Sequence, residues 1–194
     1  MSRPPKTERD KMATVKIEKA FWSLLETEKY TDITVLRISQ EAGINRNSFY
    51  YHYKDIDDLA YKAFMNNADN EISKTLISAL LSAFQEDNKM PIIDMSILPH
   101  SKRVMLCARS DSAYLNHLVS DLLKTAWFES MSIKEEDLTE DEKLQIHFIS
   151  AGFVAVLGSQ EIKNNPLYMA TLSQTEIGKA IIKTMKNIAL RQQR

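Results

Sequence analysis

The chain has 194 residues, of which 44% are hydrophobic, and its formal net charge is −1. That length supports one ordinary hydrophobic core or two small ones, and the near-zero charge excludes a generic binder of polyanions. The single cysteine, Cys107, excludes an intramolecular disulfide framework and indicates a reducing compartment.

The sequence shows neither a secretion signal nor a membrane span. The N-terminal segment MSRPPKTERDK has no apolar stretch of the kind that a signal peptide requires. No segment approaches the roughly 18 consecutive apolar residues of a transmembrane helix. Only four glycines and five prolines occur, and amphipathic stretches with helical spacing dominate. We therefore expect a cytoplasmic, all-α protein.

The first helix is predicted from about Thr7 to Glu28, after a basic arm at residues 1–6 in which Pro4 and Pro5 oppose helix formation. We expect its apolar face to pack on the helices that follow. That face repeats at i, i+3, i+4, i+7 and i+8 and consists of Ile17, Ala20, Phe21, Leu24 and Leu25.

Two short helices joined by a tight turn come next, at Thr34–Ala42 and about Arg46–Tyr53. Thr34 and Asn45 can cap them through their side chains, and Gly43 can adopt the positive φ that ends the first of the two. The second helix then exposes hydrogen-bonding groups and aromatic edges that suit a DNA major groove: Arg46, Asn47, Ser48, Tyr50, Tyr51 and His52.

A long helix is predicted from Ile56 to about Gln85, with three aspartates near its positive N-terminal end. It would join the N-terminal helices to the rest of the chain without a flexible linker. The segment Glu86–His100 contains two prolines and is predicted to be a loop. This loop is apolar enough to line a pocket, cover the body or bind a partner protein, and the sequence leaves all three roles open.

Four further helices are predicted beyond this loop. Two of them begin at a capping box, formed by Thr139 with Glu142 and by Ser173 with Glu176. The four predicted helices span about Ser101–Ala108, Asp111–Met131, Glu140–Lys163, and a last segment that ends near Leu190.

The stretch from Thr34 to Leu59 resembles the DNA-binding domain of the tetracycline-repressor (TetR) family of bacterial regulators. The matching residues are Thr34, Ile38, Ala42, Gly43, Ile44, Ser48, Phe49, Tyr50, Tyr53, Lys54, Asp57, Asp58 and Leu59. The resemblance implies a three-helix helix-turn-helix head at residues 1–54, joined through helix 4 to a larger helical ligand-binding and dimerisation body at residues 55–194. It also implies a homodimer that binds a palindromic operator on double-stranded DNA, usually as a repressor. A small apolar effector would release this homodimer from the operator.

The chemistry of the head assigns a role to each exposed side chain. Arg46 can pair bidentately with guanine and Asn47 with adenine, whereas Phe49 and Tyr53 are assigned to the core of the head. The complete set of predicted DNA contacts is Thr34, Arg37, Asn45, Arg46, Asn47, Ser48, Tyr50, Tyr51, His52 and Lys54.

Charge distribution is consistent with this assignment. Residues 1–54 contain ten Lys and Arg against seven Asp and Glu, which leaves the other 140 residues with a net charge of −4. The sequence departs from the family at three positions: Lys29 replaces a usual glycine, and Leu36 and Ile56 stand where basic residues are common. The two apolar replacements cannot donate hydrogen bonds to phosphate.

The body has two sets of candidate residues. The expected ligand-binding set combines apolar walls with polar anchors and consists of Met105, Cys107, Tyr114, His117, Leu118, Leu122, Trp127, Phe128, Met131 and Phe148. The expected dimer interface consists of Phe148, Ala151, Ala155, Gly158, Ile177, Ile181, Met185 and Ile188. Either set could instead fill the core of a single chain.

An enzyme is not expected. The histidines are scattered, and the chain contains no HExxH, CxxC or GxSxG pattern and no glycine-rich phosphate loop. We therefore expect no catalytic residue, metal site or cofactor. Beside an effector-released repressor, the sequence allows a regulator controlled by a partner protein and an architectural DNA binder without sequence preference.

Overall fold

The computed structural model describes residues 6–68, 101–165, 171–172 and 174–193. All elements within these ranges are helical, which confirms the all-α prediction. The predicted second half of helix 4, the loop at residues 86–100 and Ser173 lie outside the described residues. The helices are α1 (Lys6–Leu25), α2 (Val35–Ala42), α3 (Arg46–His52), α4 (Ile56–Ala68), α5 (Ser101–Ala108), α6 (Ala113–Met131), α7 (Glu140–Leu157), α8 (Gln160–Asn164) and α9 (Glu176–Gln192), with 3₁₀ turns at Tyr30–Asp32 and Glu135–Asp137.

Helices α1, α2 and α3 pack around one apolar centre, and the first turns of α4 close it. The predicted stripe of α1 is buried there together with Ile38 of α2 and Phe49 of α3. Helix α1 ends at Leu25, three residues before the predicted end. Lys29 then adopts an extended backbone with φ −69° and ψ 144°, so the chain leaves α1 without needing the family's glycine.

Helices α5, α6 and α7 form the centre of the body. Ser112 caps α6 by accepting a hydrogen bond from the backbone N–H of Leu115. The predicted capping box at α7 is present: the Thr139 side chain accepts from the N–H of Glu142, and the Glu142 carboxylate accepts from the N–H of Thr139. These caps satisfy backbone donors that have no partner inside their helices.

The predicted helix Glu140–Lys163 is two helices, because α7 ends at Leu157 and α8 begins at Gln160. Gly158 lies so close to the C-terminus of α5 that an added Cβ would be 2.5 Å from the carbonyl oxygen of Ala108. Ser159 then caps α8. The glycine therefore permits α5 and the end of α7 to approach closely.

The last helix begins two residues later than Ser173, at the cap formed by Thr175. The Thr175 hydroxyl accepts a hydrogen bond of 3.0 Å from the N–H of Gly178. Near the other end of α9, Arg191 donates to both carboxylate oxygens of Glu142, at 2.7 and 2.6 Å. This bidentate pair fixes the end of α9 against the start of α7.

The head and the body meet through contacts from α5 and α6. Lys102 of α5 forms an ion pair of 2.6 Å with Glu26, directly after α1. The Arg103 guanidinium lies 5.1 Å from the centre of the Trp22 ring. The Tyr114 hydroxyl of α6 donates to the backbone carbonyl of Asp57 in α4. The first turn of α4, which closes the apolar centre of the head, is therefore in contact with α6.

Candidate DNA-contacting surface

Helices α2 and α3 form a helix-turn-helix unit whose turn follows the predicted chemistry. Gly43 has φ +63° and ψ 40°, the left-handed conformation that a residue with a Cβ adopts only at a cost. The Thr34 hydroxyl caps α2 by accepting from the N–H of Arg37 at 3.2 Å. The Asn45 side chain caps α3 by accepting from the N–H of Asn47 at 2.8 Å. The three local predictions for this unit are confirmed.

The inner face of α3 is committed to the core of the head, as predicted. Phe49 is fully buried and Tyr53 is nearly so. The Tyr53 hydroxyl donates to the Glu18 carboxylate of α1 at 3.2 Å. Burial, followed by the charge and hydrogen bond of Glu18, raises the pKa of Tyr53. This hydroxyl is therefore a permanent donor that orients α3 on α1.

The outer face of α3 presents the predicted base-reading side chains to solvent. Arg46, Asn47, Tyr50 and Tyr51 are exposed, and Ser48 is half-buried beside them. The Arg46 side chain makes no hydrogen bond or ion pair with the described part of the chain, so it is available for another molecule. Tyr50 packs edge-on against Phe49, with ring centres 5.5 Å apart.

The α2 edge of this surface presents a paired arginine and an exposed leucine. Arg37 forms an ion pair of 2.5 Å with Glu28, and this hydrogen bond raises the pKa of Arg37. DNA would have to compete with Glu28 for the guanidinium. Leu36 is 46% exposed at the same edge and offers only an apolar surface.

The region between α3 and α4 combines a lysine with an acidic helix start. An open groove of about 390 Å³ is lined by Val35, Tyr50, Lys54, Asp55, Ile56 and Asp57. Asp55 caps α4 by accepting from the N–H of Asp58 at 2.8 Å. Asp58 accepts from the backbone N–H of Lys54 and from Lys62, at 2.9 and 2.8 Å. The carboxylates of Asp55 and Asp58 therefore accept hydrogen bonds from donors within the chain, and the Lys54 side chain stays exposed.

His52 is half-buried at the C-terminal end of α3, with its ring edge-on to Tyr51 at 4.8 Å. Its backbone carbonyl faces Lys62 at 3.4 Å. All ten predicted DNA contacts thus lie on α2, on α3 or at their ends. Eight of them are exposed and Ser48 and His52 are half-buried, whereas Phe49 and Tyr53 are buried in the core of the head.

The predicted ligand set does not surround one described cavity. Cys107, Leu118, Leu122, Trp127 and Met131 are buried in the core of the body, and burial raises the pKa of the Cys107 thiol to about 12. Met105, Tyr114 and Phe128 are half-buried, whereas His117 and Phe148 are exposed. Whether these residues bind a ligand stays a prediction.

A cleft of about 480 Å³ opens between α6 and α7, and of the predicted ligand set it includes only His117. Sequence analysis missed most of its polar lining because these side chains come from two separate helices and a loop. The lining residues are Ser110, Asp111, Ala113, Asn116, His117, Ser120, His147, Ala151, Val154 and Ala155. The described residues contain no cluster of three His, Cys, Asp or Glu side chains that could hold a metal ion.

The predicted dimer residues divide into an exposed group and a buried group. Phe148 is 78% exposed and Ile177 is 68% exposed, and Ala151 and Ala155 are exposed beside Phe148 on α7. Ile181 of α9 is half-buried.

The remaining predicted dimer residues are used within the chain. Met185 and Ile188 are buried, with 3% and 2% of their surface accessible. Gly158 faces the backbone of α5. For these three residues the structure favours the interpretation in which an apolar stripe fills the chain's own core, because their surface is already covered.

Comparison with known proteins places the chain near helix-turn-helix regulators. No family model matches it. Over 145 residues it is 26% identical to an uncharacterised HTH-type transcriptional regulator, YxbF of Bacillus subtilis (strain 168); the match covers 73% of this chain and 37% of the relative. The chain thus matches well under half the length of that protein. The sequence match supports a helix-turn-helix transcriptional regulator.

Two solved structures overlap with most of the chain. One is the TetR family repressor AlkX from Dietzia sp. strain DQ12-45-1b, with 15% identity, a TM-score of 0.47, and coverage of 91% of this chain and 96% of that one. The other is DhaS, the activator of a dihydroxyacetone kinase operon, with 15% identity, a TM-score of 0.40, and coverage of 93% and 95%. Within the described ranges, no helix is both long and apolar enough to cross a membrane.

Proposed function

We propose that this chain is a sequence-specific DNA-binding transcriptional regulator of the TetR type, and that it acts as a repressor on a palindromic operator. The observation that carries the proposal is the outer face of α3. There Arg46, Asn47, Tyr50 and Tyr51 are exposed together on a helix whose start is capped and whose opposite face is buried. A rigid helix with base-reading side chains on its free face is suited to enter a major groove.

Specificity in this proposal comes from α3, and affinity comes from its edges. Arg46 reads guanine and Asn47 reads adenine, because each can form two hydrogen bonds with its base. Lys54, Arg37 and the hydroxyl of Thr34 contact phosphates, which position the helix without reading sequence. Because Arg37 is shared with Glu28, phosphate contributes less here than in a strongly basic head.

The proposal includes a homodimer, because one recognition helix reads only a few base pairs. Phe148, Ala151 and Ala155 of α7 with Ile177 and Ile181 of α9 supply the proposed surface, which we call the α7–α9 apolar face. Helix α7 already buries Phe153 and other residues on its opposite side. An apolar face left over after the core is complete usually marks a site of association.

Release by a small apolar effector completes the proposal. An effector acts by binding more tightly to an arrangement of the heads that does not fit the operator. The half-buried Phe128, which packs against the apolar core of the body, could form part of a wall for such a molecule, and the half-buried Met105 is a further candidate. A partner protein is the alternative input, and titration of operator complexes with apolar metabolites separates the two: dissociation by a metabolite alone excludes the need for a partner protein.

Footprinting of the full-length chain on genomic fragments tests the proposal. We expect protection of one palindrome, with half-sites about one helical turn apart, or a multiple of that, on the same face of the DNA. Diffuse protection that follows no sequence would instead identify an architectural DNA binder, and absence of protection at low salt would exclude a DNA-binding role for this surface.

A further inference from the structure

Asp57 joins three segments that are distant in the sequence. Its backbone carbonyl accepts a hydrogen bond of 3.1 Å from the Tyr114 hydroxyl at the start of α6. Its carboxylate accepts a hydrogen bond from the Tyr30 hydroxyl in the turn after α1. We call this group of Tyr30, Asp57 and Tyr114 the Asp57 junction. It connects the start of α6 with the first turn of α4 and with the turn that follows α1.

Both tyrosines of the junction remain hydrogen-bond donors at physiological pH. Burial and then the charges of the neighbouring aspartates raise the pKa of Tyr114. Burial and then the hydrogen bond to Asp57 raise the pKa of Tyr30. A backbone carbonyl has two lone pairs, so Asp57 can accept a bond within α4 and the tyrosine hydroxyl at the same time.

The junction also borders the candidate DNA-contacting surface. Asp57 lines the same groove as Tyr50 and Lys54. Tyr30 follows Glu28 by two residues, and Glu28 is the ion-pair partner of Arg37 at the start of α2. Movement of Tyr114 relative to Asp57 would therefore tilt both edges of the recognition surface together.

The head does not depend on the junction for attachment to the body. Lys102 pairs with Glu26, and Arg103 lies over the ring of Trp22. These contacts join α5 to the C-terminal end of α1 and to the residue directly after it, and they do not involve α4. Loss of one tyrosine hydroxyl would therefore leave the head in contact with the body and would change only how far the angle between head and body can vary.

We infer that Tyr114 is a positioning residue for DNA binding, whose hydroxyl fixes the angle between head and body through Asp57. The inference rests on the proposed homodimer and operator. Two heads can bind one palindrome only if their separation matches the half-site spacing. If the angle between head and body varies, binding to a full site must restrict it to one value. This restriction costs conformational entropy and weakens binding to the full site.

Substitution Tyr114→Phe removes the hydroxyl and keeps the ring. We would select an operator from a random duplex library with the wild-type chain. Binding to fluorescein-labelled duplexes is then measured by anisotropy at fixed salt: the full palindrome, one half-site, and palindromes with the spacer shortened or lengthened by one base pair. Tyr61→Phe is the matched control, because this exposed tyrosine lies one turn further along α4 and its hydroxyl makes no hydrogen bond within the described residues.

We expect Tyr114→Phe to raise Kd for the full palindrome by about threefold to tenfold, in keeping with the loss of one hydrogen bond. Half-site binding should stay within about twofold, and the preference for one spacer length should flatten, because a looser head tolerates more spacings. Tyr30→Phe should reproduce the effect, and the double substitution should cost less than the sum of the two, since both hydroxyls act through Asp57.

Each remaining outcome has a separate meaning. If Tyr114→Phe and Tyr30→Phe both bind the full palindrome as wild type does, the inference is wrong and the proposed function stands. Equal losses on half-site and palindrome would show general damage to the head and would also reject the positioning role. If the wild type selects no palindrome at all, the proposed function itself fails. Tyr30→Phe decides the matter if Tyr114→Phe does not fold.

Discussion

At the scale of single residues, Arg46 and Gly43 illustrate two kinds of requirement. Arg46 is exposed at the start of α3, so in the proposed function its role lies in a contact with DNA. Gly43 is required by the backbone itself, because φ at this position is +63°. A substitution of Arg46 should change DNA recognition and leave the stability of the fold intact. A substitution of Gly43 should lower the stability of the fold and leave the base-reading side chains unchanged.

Arg46→Ala should cost roughly 1–3 kcal/mol of binding free energy on the selected operator, because a bidentate contact to a base is lost. The loss on unrelated DNA should be much smaller. Fluorescence anisotropy at fixed salt measures both, and Lys54→Ala is the matched comparison: as a phosphate contact it should weaken both duplexes alike. Equal losses for Arg46→Ala on the two duplexes would remove Arg46 from the base-reading set.

Gly43→Ala should destabilise the chain by about 1–2 kcal/mol, since a Cβ in the left-handed region is strained by roughly that amount. An added Cβ would meet no atom within 4 Å, so the cost should come from the backbone alone. Gly43→Asn should cost less, because asparagine tolerates this conformation better. Urea unfolding of the three proteins gives the order, and an alanine variant as stable as wild type would contradict the backbone argument.

At the scale of elements, the caps and the turn were predictable because they depend on neighbouring residues. Thr34, Asn45, Gly43 and Thr139 each act within four positions of themselves. The close contact of Gly158 with α5 was not predictable, since it involves a part of the chain that is distant in the sequence. Sequence periodicity also could not divide an apolar helix such as α7 between its own core and a second surface.

The ion pair between Glu142 of α7 and Arg191 of α9 should make the free energy of unfolding depend on pH. Hydrogen bonds from Arg191, and then from Thr139, hold the pKa of Glu142 below its usual range. A lowered folded-state pKa contributes stability that is fully present above the ordinary glutamate pKa of about 4.3 and is lost as pH falls through the folded-state value. Glu142→Gln should therefore be less stable than wild type at pH 7, and the difference should shrink below about pH 4.3.

Urea titrations at several pH values measure this difference. Glu140→Gln is the control, because Glu140 lies in the same turn but pairs only with Lys143 of its own helix within the described residues. It should change stability little at any pH, since an exposed pair within one helix contributes little. A Glu142→Gln difference that is constant from pH 7 to pH 3 would show that the Arg191 pair is not its source.

Leu36 is an exposed apolar residue of α2, at the edge of the candidate DNA-contacting surface. Leu36→Lys places a donor where Leu36 now exposes an apolar side chain. Because a phosphate contact carries no sequence information, affinity should rise for operator and unrelated DNA alike. The slope of log Kd against log salt should steepen by about 0.9 for one added contact. Gln at the same position controls for loss of leucine, and an unchanged slope would place residue 36 away from the backbone of the DNA.

At the scale of the whole molecule, the proposed function requires two features to agree: a head that would read half a site and a face that would join two copies. Phe153 is buried in the core on one side of α7, whereas Phe148 and Ile177 of the α7–α9 apolar face are largely exposed in the single chain. The Asp57 junction would transmit the geometry of that pairing to α3. Assembly and DNA binding should therefore be lost together when the face is disrupted, while the monomer stays folded.

Phe148→Asp tests this at the centre of the face. Phe148 is 78% exposed, so the monomer should lose little stability, whereas a buried aromatic anchor contributes about 2 kcal/mol or more per subunit to an interface. Sedimentation at micromolar concentration should show monomers, and full-palindrome affinity should fall to that of a half-site. Val15→Asp is the matched control for assembly, because Val15 is 64% exposed on α1, outside the face. A Phe148→Asp chain that still sediments as a dimer would move the interface elsewhere, and a wild-type chain that is monomeric at the concentrations used for footprinting would reject the dimer itself.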